Sequence, residues 1–376
     1  MKQGWEYKKL GEIGNIVTGS TPSTKDESNY SPREYCFVKP SDLPSQRIAL
    51  IEETEYYVSR KGLSQSRVLP TGSVLVSCIG SIGKIGILTK EACSNQQINA
   101  IIPKNDIDSK FIAYSIYAYR FLLESIANAP VVPIINKTDF SKIQIPIPPK
   151  STQLSIVSEL DKINELIRLK KEQLKDYDNL AQSIFYDMFG DPVENEKGWE
   201  VKKLIEVSSL INGRAYKQNE LLNEGKYKVL RVGNFFTNSN YYYSNLELDE
   251  EKYCYKGDLL FAWSASFGAF VWDEGKTIFH YHIWRVLFDE KKLNIYYYKY
   301  LLNTMTSFFM NDVHGIGMVH LTKAGMEQYN VPLPPLPLQH IFAQRIEQIE
   351  HQKSEVTKAI TNLETLLASR MQHWFE

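Results

Sequence analysis

Four histidines crowd one stretch of the chain: His280 and His282 flank Tyr281, and His314 and His320 follow. Two imidazoles on one face of a strand are part of a zinc ligand set, but no cysteine or carboxylate accompanies them at ligand spacing. In the internal repeat set out below, the matching positions of the first half hold Asn95 and Gln97. A metal site should not exchange imidazoles for amides between copies, so no metal is expected. A surface that reads base edges can make that exchange, because Asn and Gln suit adenine while other polar side chains suit other bases.

Other groupings fail on spacing. Gly80-Ser81-Ile82-Gly83-Lys84-Ile85 has two glycines and a lysine, but a phosphate-cradling loop needs four residues between the glycines and a hydroxyl residue after the lysine. A hairpin turn is predicted there. The acidic run Asp249-Glu250-Glu251-Lys252 lacks a second carboxylate at a useful distance for a nuclease, and a solvated turn is predicted. No glycine fingerprint opens a βαβ unit, and no Asn-Pro-Pro-aromatic tetrad of the amino-methyltransferase kind occurs. No catalytic set and no cofactor bound by this chain are expected.

What must position these side chains is a chain of 376 residues, 43% hydrophobic and 23% charged, long enough for two or three compact units. Cys36, Cys78, Cys93 and Cys254 lie too far apart for a zinc knuckle or a disulfide scaffold, and are read as buried thiols. No apolar stretch is long enough to cross a bilayer, and the start lacks a basic region followed by an apolar core, so a cytoplasmic protein is expected. The formal net charge is −1, from 43 basic and 44 acidic side chains. Residues 1–148 carry 17 basic against 14 acidic side chains, so any phosphate-binding surface is a local patch.

The sequence is written twice. Gly4-Trp5-Glu6-Tyr7-Lys8-Lys9-Leu10 recurs as Gly198-Trp199-Glu200-Val201-Lys202-Lys203-Leu204, 194 positions later, and Gly19 then matches Gly213. Phe37 to Leu43 resembles Val229 to Phe235, with Lys39 and Arg231, and Asp42 and Asn234, at equivalent places. Gly72 to Gly83 matches Gly257 to Gly268 and reads as strand, tight turn and strand. Ile145-Pro146-Ile147-Pro148-Pro149 matches Val331-Pro332-Leu333-Pro334-Pro335, each an extended stop before the next element.

A heptad seam follows each proline run: Ile156, Leu160, Ile163, Ile167, Lys170, Leu174, Tyr177, Ala181, Ile184 and Met188, then, 186 residues later, Phe342, Ile346, Ile349, Lys353, Val356, Ile360, Leu363, Leu367, Arg370 and Trp374. Steps of four and three are those of knobs-into-holes packing, and roughly 34 helical residues make a rod about 50 Å long. The predicted fold is mixed α/β (α+β): two similar domains, 1–148 and 198–335, separated by two long antiparallel coiled-coil helices, 149–190 and 336–376, with a linker at 191–197 and a pseudo-two-fold repeat.

Together, the Gly-Trp-Glu-x-Lys-Lys-Leu openings at 4–10 and 198–204, the proline runs leading through Gln153 and Gln339 into long helices, and the matching helix ends from Ser183 and Ser369 resemble the specificity subunits of Type I restriction-modification systems. The resemblance covers essentially the whole chain. It implies that each globular unit is a target-recognition domain reading one half of a split double-stranded DNA target. The helices would act as spacer and as the dock for two methyltransferase subunits, to which two ATP-driven endonuclease/translocase subunits can add. S-adenosylmethionine, ATP and magnesium would belong to those partners. Rival readings are a related single-chain restriction enzyme with catalysis supplied elsewhere, and a coiled-coil scaffold.

Polar, basic and aromatic residues in turn-like segments are then the candidates for DNA contact. In the first domain these are Ser20, Thr21, Ser23, Lys25, Lys84, Asn95, Gln96, Gln97, Asn136 and Lys137; in the second, Arg214, Tyr216, Lys217, Trp263, Ser264, Ser266, His280, His282, Arg285, His314, His320 and Lys323. For each, a capped turn or satisfied polar group is the structural alternative. Lys39 and Arg231, present in both copies, favour phosphate positioning over base reading. The run Asn240-Tyr241-Tyr242-Tyr243 lines a groove or packs in a strand. Trp5 and Trp199 are expected to anchor each domain's core. Leu166, Phe185, Phe189 and Phe375 are expected either to meet a methyltransferase or to pack within the chain.

Overall fold

The computed structural model describes residues 4–45, 47–127, 132–236, 240–264, 266–311 and 321–375. Two compact units result: Met1–Lys170 with Ala359–Glu376, and Lys171–Lys358. Each holds one globular domain and part of both long helices, Lys150–Phe189 and Leu336–Phe375.

In the first unit the opening strand Glu6–Lys9 pairs antiparallel with Gln144–Ile147, Glu6 facing Ile147 and Lys9 facing Gln144. In the second, Glu200–Lys203 pairs with Asn330–Leu333, Glu200 facing Leu333 and Lys203 facing Asn330. The repeated opening and the repeated proline run are thus two strands of one ribbon. Two-stranded ribbons tolerate proline because each strand keeps a free edge.

The main sheet of the first domain runs Gly14–Thr18, Ile98–Pro103, Val74–Ser77, Ile85–Leu88, Ile48–Ile51, antiparallel except for the last pair. That of the second runs Ser208–Asn212, Ile283–Phe288, Leu259–Ser264, Ser266–Val271. Each domain adds a smaller sheet around one parallel pair, Tyr35–Val38 with Ala92–Ser94 and Tyr227–Leu230 with Thr277–Phe279. Val74–Ser77 and Ile85–Leu88 are the predicted hairpin, whose turn uses Gly80 and Gly83 at positive φ. The four cysteines are free and buried.

Buried Gln153 and Gln339 make the same three bonds in their respective units. Gln153 Oε1 accepts from the Asp108 amide at 2.9 Å, and its Nε2 donates to the Asp106 and Pro148 carbonyls at 3.4 and 3.0 Å. Gln339 accepts from Asn294 at 2.8 Å and donates to Lys292 and Pro334 at 2.9 and 2.8 Å. Asp108 and Asn294 are the N-caps of the domain helices Ser109–Ala118 and Ile295–Thr304. One glutamine therefore ties proline stop, long helix and domain helix together, and it satisfies buried backbone groups that would otherwise be left unpaired.

The heptad positions are buried or half-buried throughout. In the first unit Arg370 pairs with Glu159, which also accepts from Trp374 Nε1 at 2.9 Å. In the second, Lys353 meets Asp178 at 2.7 Å and Arg345 meets Met188 Sδ at 3.8 Å, so position falls along one helix as it rises along the other and the pairing is antiparallel. Charged seam residues are accommodated by cross-helix partners.

Of the two readings for the apolar residues off the seam, packing within the chain holds for three. Phe185, Phe189 and Phe375 are buried in the domain cores, and of the four only Leu166 stands exposed. Phe375 packs on Phe111 at 5.8 Å, and Phe111 on Trp5 at 6.4 Å; Phe189 packs on Tyr297 at 4.7 Å. Trp5 joins its core, whereas Trp199 is only half-buried and instead donates Nε1 to the Phe189 carbonyl at 2.9 Å. Phe375→Ala is expected to cost the first unit about 3–5 kcal/mol, and Leu166→Ala less than about 0.5 kcal/mol; denaturant unfolding checks both, and equal shifts would contradict the assignment.

Candidate nucleic-acid interface

At one end of each domain the main-sheet strand nearest the ribbon runs past a tight turn. In the first domain the turn is 95–98, closed by Ile98 N–H to the Asn95 carbonyl at 3.2 Å. Asn95 Oδ1 accepts from the Gln97 amide at 3.2 Å, and the Gln97 carbonyl accepts from Cys78 at 2.8 Å. The neighbouring strand crosses at Gly19, where a Cβ would lie 2.1 Å from the Asn95 carbonyl oxygen.

In the second domain the turn is 280–283, closed by Ile283 N–H to the His280 carbonyl at 3.0 Å. His280 Nδ1 accepts from the His282 amide at 3.5 Å, and the His282 carbonyl accepts from Trp263 at 3.1 Å. Gly213 stands where a Cβ would lie 2.2 Å from the Phe279 carbonyl oxygen. The repeated glycine thus has a steric cause: nothing larger passes the turn.

Many of the residues singled out from sequence meet here. Around the first turn are Ser20, whose amide donates to the Ser94 carbonyl at 2.8 Å, and Thr21, whose hydroxyl donates to Gln96 Oε1 at 2.7 Å. Around the second, Arg214 bridges to His280, Tyr216 stacks on His280 at 6.4 Å, and Trp263 lies edge-on to His282 at 5.2 Å. Burial, with His282 and Arg231 nearby, pushes the His280 imidazole down to about 4, so it is neutral at physiological pH.

Lys39 and Arg231 follow equivalent strands and are held alike. Their amides donate to Asp42 and Asn234 side chains at 2.7 and 2.8 Å, and their cations lie over Tyr56 and Tyr242 at 3.1 and 5.4 Å. The repeated basic and Asp/Asn pair is therefore a local cap.

Other candidates serve the fold. Arg285 is enclosed, donating to the Tyr253 carbonyl at 2.9 Å with Asp258 at 3.6 Å. Arg214 is doubly bonded to Glu220 at 3.0 and 2.8 Å, whose carboxyl it holds at about 2, and the Lys217 amide donates to the same carboxylate. Lys84 reaches the Pro40 carbonyl at 3.2 Å, Asn136 caps the helix Lys137–Lys142, and Lys323 lies 3.7 Å from Glu327. The Ser23 carbonyl accepts from Asn29, and Ser264, buried, pairs with Ser266 across the hairpin. Lys25 and Lys137 are exposed. His314 and His320 lie outside the described residues. Among those described, no group of three or more His, Cys, Asp or Glu side chains could hold a metal, and no helix is long and apolar enough to cross a membrane.

Sequence reading missed Asn99, a buried polar residue in an otherwise apolar strand, which accepts the Thr18 hydroxyl at 2.7 Å beside the turn. The signal was there: one amide interrupts Ile98-Asn99-Ala100-Ile101-Ile102.

A family model described as the Type I restriction modification DNA specificity domain matches residues 2–176 and again 196–365. The chain belongs to this family. Among relatives, it is 28% identical to the Type I restriction enzyme MjaIX specificity subunit of Methanocaldococcus jannaschii over 248 residues, covering 61% of this chain and 57% of that one. It is 23% identical to the MjaVIII specificity subunit of the same organism over 409 residues, covering 97% and 92%. The HindI specificity subunit of Haemophilus influenzae is 27% identical over 216 residues, covering 56% and 42%. The match therefore spans only about half the length of MjaIX and HindI.

The fold is that of the S subunit from M. genitalium, with a TM-score of 0.56 at 13% identity over 99% of this chain and 96% of that one. A structure concerned with complex assembly and conformational transition of the type I R-M system gives 0.60 at 16% identity over 99% and 97%.

In this specificity-domain protein, the low folded-state value of His280 has a pH consequence. Its ordinary value lies near 6.5, so between pH 6.5 and 4 the unfolded chain binds the proton that the folded chain refuses. The stabilisation is complete above pH 6.5 and is lost as pH falls toward 4. His280→Asn, the residue of the first domain, is expected to flatten that dependence of the second unit's unfolding midpoint; a profile as steep as the unsubstituted chain's would refute the role.

Proposed function

We propose that the chain is the sequence-specific DNA-binding subunit of a Type I restriction-modification complex and is not itself a catalyst. Each domain, taken as 1–148 and 198–335, reads one half of a bipartite target through the end that carries its turn. The helices 149–190 and 336–376, with the linker 191–197, set the gap and dock two methyltransferase subunits, to which two endonuclease subunits add. S-adenosylmethionine, ATP and magnesium act on those partners, in the cytoplasm.

One observation carries the reading. The two turns keep the same backbone hydrogen bonds, yet present Asn95-Gln96-Gln97 in one copy and His280-Tyr281-His282 in the other. A duplicated frame with unlike polar surfaces is what an asymmetric, two-part target requires. A coiled-coil scaffold does not account for it, having no use for divergent polar turns on a preserved frame.

Two experiments test the proposal. Removing one heptad from each long helix is expected to shorten the gap by about 3 base pairs, from 1.5 Å of rise per residue against 3.4 Å per base pair, with both half-site sequences intact. Altered half-sites with the original gap would count against it. Purified chain incubated alone with duplex DNA and S-adenosylmethionine is expected to transfer no methyl group; transfer without a partner would establish the fused-enzyme reading instead.

A further inference from the structure

Resting on the reading just given, we propose that Gln96, held by Thr21, is the specificity-determining residue of the first domain and selects an adenine. The turn around it is built from atoms that do not involve its side chain. Backbone groups of Ile98, Gln97 and Cys78, the buried Asn95 amide and the Gln97 side chain supply its bonds. The second domain repeats this frame and places Tyr281 at the same position. Gln96 and Tyr281 are both exposed, so this is a place where side-chain identity changes freely without disturbing the fold.

Gln96 does not hang loose. Its Oε1 accepts the Thr21 hydroxyl at 2.7 Å, which fixes the amide and leaves both Nε2 hydrogens and the second Oε1 lone pair available. A donor beside an acceptor complements the major-groove edge of adenine, Oε1 accepting from the N6 amino group and Nε2 donating to N7. Guanine sets two acceptors against that pair, cytosine offers a donor and thymine an acceptor, so adenine alone satisfies both atoms. Alanine stands at position 215, the counterpart of Thr21. The hydroxyl is therefore present in the copy that carries the amide and absent from the copy that carries Tyr281. Fixing the amide before binding removes part of the ordering cost that a flexible side chain would meet at the base edge.

The test uses the full chain expressed with its methyltransferase subunit, with methylated positions mapped across the host genome. The unsubstituted complex is expected to give a bipartite motif with a fixed A·T pair in one half. Gln96→Ala lowers discrimination at that pair roughly ten- to a hundredfold and leaves the gap and the other half-site unchanged. Gln96→Glu moves the preference there toward cytosine, whose N4 amino group a carboxylate accepts, a gain that a misfolded chain cannot give. Thr21→Val weakens the same pair alone, and Thr21→Ser restores it.

Should methylation vanish for both Gln96 variants, selection of duplexes from a randomised library by the purified full chain reads the same preference. A bipartite motif that neither Gln96 variant alters would overturn this assignment while leaving the functional reading in place. An unsubstituted complex without a bipartite motif would bring down the functional reading itself.

Discussion

Neither globular domain owns a complete apolar core. In the first unit Ile156, Val157 and Leu160 of one long helix and Phe375 of the other join Trp5, Phe111 and the sheet. In the second, Ala181, Phe185 and Phe189 meet Phe342, Ile346 and Ile349 beneath Tyr297. A sheet must bury its apolar face against another layer, and here part of that layer arrives from helix segments far away in sequence. The driving force is burial of apolar surface, worth roughly 1.5–3 kcal/mol for each large side chain removed from water. Each domain therefore shares its core with segments of both helices. The heptad seam is the continuation, within each unit, of an interface that the core has already started.

A rigid base of this kind lets the opposite end of the domain vary. The turns at 95–98 and 280–283 lead into main-sheet strands whose first residues, Ile98 to Ile101 and Ile283 and Trp284, are buried. Their backbone bonds recur partner for partner, and the crossing strand requires glycine at 19 and 213. Backbone bonds, the Asn95 and His280 side chains and the close approach at the glycine thus hold each turn. What that frame does not use is the side chain at its middle, the exposed Gln96 in one copy and the exposed Tyr281 in the other.

Sequence made some of this legible and hid the rest for identifiable reasons. Heptads are local, so Ile156 to Met188 and Phe342 to Trp374 could be read as seams before any partner was known. The repeat marked Gly19 and Gly213 as equivalent, but the carbonyl that forbids a side chain there belongs to residues some 70 positions away. Glu6 and Ile147 recur in the opening and the proline run, yet nothing in either block says that they face each other. Phe185, Phe189 and Phe375 fall off the seam because each enters a domain core, where Phe185 and Phe189 also meet Phe342 of the sister helix. Arg285 and Arg214 have the composition of DNA contacts, but Asp258 and Glu220 already engage them, and an ion pair formed across a loop leaves no periodicity to detect.

Those ion pairs bear on how recognition is divided. Affinity from phosphate contacts grows with the number of phosphates neutralised by cations and weakens steeply with salt. Here 43 basic side chains are matched by 44 acidic ones, and Arg214, Arg285, Lys323 and Lys353 each have a carboxylate beside them. On the proposed reading, a cation already satisfied within the domain must break a bond before it can meet a phosphate, so its net gain is small. The amides of Lys39 and Arg231 are bonded to Asp42 and Asn234, and their cations lie over tyrosine rings; on the proposed reading they would orient the duplex more than hold it. On that same reading, discrimination falls to hydrogen bonds made by the turn side chains. These depend little on salt, and their value lies in the difference between the right base and the wrong one, which is the quantity a specificity subunit has to supply.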